Sequence, residues 1–64
     1  MQLLLCSENG SERQFVNIEQ GLSGIVLTFE TGSEIFVELQ DNGVPRAYVY
    51  ANRSETPTSE VEIP

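Results

Sequence analysis

Glu34 and Glu38, four residues apart, come nearest in this sequence to a pair of groups able to do acid–base chemistry. Two carboxyls so placed are the equipment of glycoside cleavage, one protonating the leaving oxygen while the other attacks or activates water. On an extended strand, positions i and i+4 share a face but stand about 13 Å apart at about 3.3 Å per residue. That exceeds the roughly 5 to 9.5 Å such chemistry uses, and a small sheet offers no cleft in which to desolvate the pair. The two glutamates therefore read as solvated members of a sheet face.

The remaining inventory argues the same way. The chain has no histidine, no lysine, no tryptophan and a single aspartate. It thus lacks the commonest general base, the Schiff-base nucleophile and the usual phosphate anchor, and the expectation is a protein that is not an enzyme. A metal site built on histidines or several cysteines is excluded, and Glu8-Asn9-Gly10 and Asp41-Asn42-Gly43 carry too few carboxylates for a calcium loop. No cofactor is expected. Cys6, the only cysteine, cannot form an internal disulfide and reads as a small buried apolar side chain. Asn9-Gly10-Ser11 and Asn52-Arg53-Ser54 match the glycosylation sequon but read as turn chemistry. Met1 to Cys6 is too short and too poor in basic residues for a signal peptide, and no apolar span of roughly 20 residues follows, so a cytoplasmic location is expected.

What must position these residues is a sheet. If Glu30-Thr31-Gly32 is a three-residue loop closed by a left-handed glycine, Phe29 stands opposite Ser33, Leu27 opposite Ile35, Ile25 opposite Val37 and Val26 opposite Phe36. Asp41-Asn42-Gly43 repeats the logic and sets Glu38 opposite Arg46, Val37 opposite Ala47, Phe36 opposite Tyr48 and Ile35 opposite Val49. Alternation along each strand then separates two faces. The inner one holds Ile25, Leu27, Phe29, Ile35, Val37, Leu39, Ala47 and Val49, and the outer one Val26, Thr28, Glu34, Phe36, Glu38, Arg46, Tyr48 and Tyr50. Asn42-Gly43 as a two-residue turn would instead pair Leu39 with Arg46, so face consistency favours the bulged loop. Pro45 removes a ladder donor and suggests that its strand is an edge.

Leu3 to Cys6 and Phe15 to Ile18 read as a further hairpin around Ser7 to Ser11, its register open because neither parity gathers the apolar residues on one side. Its expected role is to cover the inner face. Gln20 to Gly24 is the link between hairpins. The fold class expected is all-β: a five-stranded antiparallel meander closed into a small barrel or a two-layer sandwich. Residues 1–51 form the single β domain. Residues 52–64 are expected to be a flexible, disordered acidic tail, although Val61-Glu62-Ile63-Pro64 alternates and can add to a sheet edge.

Ten acidic residues against Arg13, Arg46 and Arg53 give a formal charge of −7. Direct contact with nucleic acid or an anionic membrane is disfavoured, and the charge reads either as suited to a protein partner with a basic surface or as serving solubility alone. Mimicry of a phosphate track fails on density. Duplex DNA carries roughly one charge per 100 Å², whereas ten carboxylates on half of a surface of roughly 4,000 Å² reach about one per 200 Å². Electrostatic steering toward a basic site remains. The contact patch expected is Val26, Glu34, Phe36, Glu38, Arg46, Tyr48 and Tyr50, with aromatics at the centre and charges at the rim. In size and charge the chain is similar to small phage or mobile-element proteins that inhibit host nucleic-acid-handling or defence complexes. That resemblance implies an inhibitor acting by binding; the alternative is a structural or homo-oligomeric accessory protein that self-associates, as in a homodimer, through a face or edge of the same sheet.

Overall fold

The structure is a computed structural model describing residues 1–64. Six strands follow one another as an antiparallel meander: β1 (Gln2–Cys6), β2 (Arg13–Gln20), β3 (Gly24–Phe29), β4 (Glu34–Leu39), β5 (Pro45–Tyr50) and β6 (Ser59–Glu62). Their order in the sheet is their order in the chain, so every connection is a local turn. A single 3₁₀ turn, Ala51–Arg53, separates β5 from β6 and packs on β4.

The two glycine-closed loops form as their composition dictates. Gly32 and Gly43 adopt φ of +89° and +83°, and Phe29 and Gln40 each donate a backbone hydrogen bond across the loop, to Ser33 and Val44. Asn42 reinforces the second loop by accepting from the Val44 N–H through its Oδ1, the local bond that makes asparagine a turn residue. With both loops fixed, β3 to β5 take the register expected: Leu27 opposite Ile35 opposite Val49, Val26 opposite Phe36 opposite Tyr48, and Glu38 opposite Arg46.

The N-terminal hairpin departs from expectation. Its turn is built by Asn9, whose Oδ1 accepts from both hydroxyls, Ser7 and Ser11, and from the Ser11 backbone. The hairpin does not fold over the inner face. β2 pairs edge to edge with β3, setting Val16 opposite Phe29 and Ile18 opposite Leu27, so β1 and β2 extend the same sheet. The apolar residues on both parities of β1 are accommodated because β1 is an edge strand, exposed along its whole length. Cys6 is correspondingly exposed rather than buried, since no layer lies over β1 to enclose it.

The C-terminal segment is likewise ordered. Ser59 to Glu62 pairs with β5, placing Val61 opposite Ala47 and Glu60 opposite Tyr48. β5 is therefore an interior strand, and Pro45 is tolerated there for a directional reason. The N–H and C=O of one residue in an antiparallel strand point to the same neighbour, and the Pro45 carbonyl accepts from the Ile63 N–H. The missing donor thus faces the last residues of β6 and costs β4 nothing.

The sheet is open and of one layer: six strands rather than five, neither a closed barrel nor a sandwich. With β6 on the edge that a barrel would need for closure, β1 and β6 are both free margins. Only Val16 and Ala47, at 3% and 9% exposure, are buried.

Candidate functional site

The outer face is assembled by register alone. Read across the strands, Glu19, Val26, Phe36, Tyr48 and Glu60 stand side by side on β2 to β6. One row further toward the Gly43 turn come Gly24, Glu38, Arg46 and Glu62, and on the other side Gln2, Asn17, Thr28, Glu34 and Tyr50. All seven residues expected at a contact patch share this face, and all are half-buried. Phe36 and Tyr48 stack with centroids 6.2 Å apart and planes 25° from parallel, the offset arrangement that ring quadrupoles favour.

Gly24 explains how Phe36 is seated. A Cβ there would lie 3.0 Å from the Phe36 ring edge and 2.2 Å from the Val37 carbonyl oxygen, so only glycine admits the ring at this corner. The Tyr48 hydroxyl reaches beyond the stack and donates to Glu38 at 2.8 Å. That hydrogen bond, then loss of hydration and the neighbouring carboxylate charge, raise the phenol pKa above its ordinary value. Glu34 accepts from the Thr28 hydroxyl at 3.4 Å, so the two glutamates engage different partners and do not converge on a common point.

Arg46 is held from β6. Its guanidinium contacts Glu60 at 3.2 Å and Glu62 at 3.1 Å, and its Nε donates to Gln40. One cation is thereby spent on two carboxylates, and the centre of the face keeps an excess of negative charge from Glu19, Glu34, Glu38, Glu60 and Glu62. Glu60 and Glu62 belong to the face, not to a loose tail. Two features escaped sequence reasoning altogether: Glu19 at the end of the aromatic row, and the cross-strand pair Leu4 and Phe15, both about half exposed on the same face. The alternation of Glu60, Val61, Glu62 and Ile63 was the available signal for β6, and the strand pairing of β2 with β3 would have revealed the others.

The one surface depression lies elsewhere, at the end of the first hairpin between Leu5, Cys6, Ser7, Glu12, Arg13 and Gln14, with a volume of about 240 Å³. No three histidine, cysteine, aspartate or glutamate side chains come together as a metal site requires. No helix is long and apolar enough to cross a membrane. No protein-family model matches this chain, and comparison with curated proteins and with solved structures finds no match, so a functional reading rests on the surface itself.

Proposed function

We propose that this chain is a non-enzymatic binding module that docks a basic surface of a nucleic-acid-handling protein through its outer face, and inhibits it by occupying that surface. The observation that carries the reading is the row Glu19, Val26, Phe36, Tyr48, Glu60: an apolar and aromatic centre bounded at both ends by carboxylates. Aromatic centres exclude water and supply contact area at low entropic cost, while rim charges set encounter rate and choice of partner. With a formal charge of −7 on 64 residues, long-range steering favours a cationic partner. The placement of Glu60 and Glu62 strengthens it by moving two carboxylates from a tail onto the patch. Nucleic acid itself is repelled, so the contact is with the protein. The likeness to small phage or mobile-element inhibitors of host defence supports the same reading.

The test is capture of partners by the tagged chain beside a Glu19→Lys, Glu34→Lys variant, at low and moderate salt. A basic nucleic-acid-binding protein held by the wild type alone, and released from its nucleic acid on binding, supports the proposal. Capture by both forms alike, or no basic partner at either salt concentration, defeats it.

A further inference from the structure

The side of the sheet opposite the acidic patch is chemically different. Within the strands it contains no Asp, Glu or Arg, and its only polar side chains are Gln14, Gln20 and Ser59. Its apolar residues run from β1 to β6, and its margins are open: Leu3, Leu5, Ile25, Leu39 and Val61 are between 39% and 67% exposed. A sheet with one apolar face is stable only when that face is buried against another layer. Apart from the strand ladder, the main packing contact is that of the 3₁₀ turn with β4, so the chain supplies no such layer.

We infer that the layer is a second copy of this chain, the two apolar faces packing to form a twelve-stranded sandwich with the acidic faces outward. Three observations select that occupant. First, the chain exposes 4973 Å², about 900 Å² more than the roughly 4,100 Å² expected of a compact chain of this mass. That excess matches the roughly 800 Å² each partner contributes to a stable interface of ordinary size. Second, a chain of charge −7 repels its copies, and only a charge-free surface lets two of them approach without placing carboxylates against carboxylates. The outer face and the β6 margin, with Glu60 and Glu62, do not meet that condition. Third, a surface with so few polar groups calls for an apolar complement, and a sheet face can supply one to its own copy through a two-fold axis. A basic partner, which suits the outer face, offers no complement here.

Sedimentation equilibrium over a wide concentration range, with thermal unfolding at each concentration, tests this. The expected result is a particle of twice 7.1 kDa whose Tm rises with concentration. Leu39→Glu, at a position already 67% exposed in the single chain, is expected to weaken dimerisation at least about tenfold, while Leu4→Lys on the outer side of β1 leaves it unchanged. A monomer at every concentration with a concentration-independent Tm overturns the inference. So does open-ended assembly abolished by Leu4→Lys, which would place the contact at the β1 edge, or a dimer indifferent to Leu39→Glu but lost in Phe36→Ala, which would place it on the acidic face. Should Leu39→Glu fail to fold, the wild-type mass and its concentration dependence decide alone.

Discussion

The Tyr48 hydroxyl donates to the Glu38 carboxylate at 2.8 Å, tying β5 to β4 diagonally beside the stacked Phe36 ring. The bond holds the phenolic proton, so the folded chain keeps it to higher pH than the unfolded chain does. The stabilisation is complete below the ordinary tyrosine range and is lost as pH rises through the raised value. Absorbance titration of tyrosinate in Tyr50→Phe, which leaves Tyr48 as the only tyrosine, should give a midpoint above that of a free tyrosine. Glu38→Gln in the same background should lower it. A midpoint unmoved by Glu38→Gln would refute the assignment.

Gly24→Ala should destabilise the fold by roughly 1 to 3 kcal/mol, the usual penalty for forcing atoms into a packed site. The clash is with the Val37 backbone oxygen and cannot be relieved by rotating a side chain. Urea denaturation measures it. A paired Gly24→Ala, Phe36→Leu variant should recover little, because backbone rather than ring is the closer obstacle.

Removing the Arg46 guanidinium, as in Arg46→Met, should loosen β6 more than the rest of the sheet. The two ion pairs are partly exposed and each contributes on the order of 0.2 to 1 kcal/mol, less at high salt. Amide exchange reads this locally: the Ile63 and Thr58 N–H groups, bonded to Pro45 and Val49 of β5, should exchange faster in the variant while those of β3 and β4 are unaffected.

The 3₁₀ turn contains two consecutive residues in the left-handed region, Asn52 at φ 52° and Arg53 at φ 63°. Asparagine tolerates that conformation and alanine does not, so Asn52→Ala should cost about 1 kcal/mol while Asn52→Gly is neutral or slightly stabilising. Comparison of the two melting temperatures checks the prediction.

The middle of the sheet was legible in the sequence because a glycine fixes each loop and a one-residue slip would have put Arg46 on the apolar side. The first hairpin was not, since Leu3, Leu4 and Leu5 satisfy either parity and only pairing with β3 chooses between them. β6 was obscured by composition: Ser59-Glu60-Val61-Glu62 has one β-branched residue, Val61, and no aromatic, and its outward glutamates are matched by Arg46, 14 and 16 residues earlier. The seven expected patch residues do share one face, yet the boundary of the patch depends on Glu19, Glu60 and Glu62. Their positions follow from strand pairing, which local pattern does not encode.

Because each strand lies beside its sequence neighbours and no others, the chain can assemble by successive hairpin closures, each spanning a short loop. Short loops carry little closure entropy, and topologies of this kind fold faster than sandwiches whose pairings join distant segments. β6 follows β5 in the chain and covers its free side, so a nascent chain from which residues 59–62 have not yet emerged exposes the β5 edge.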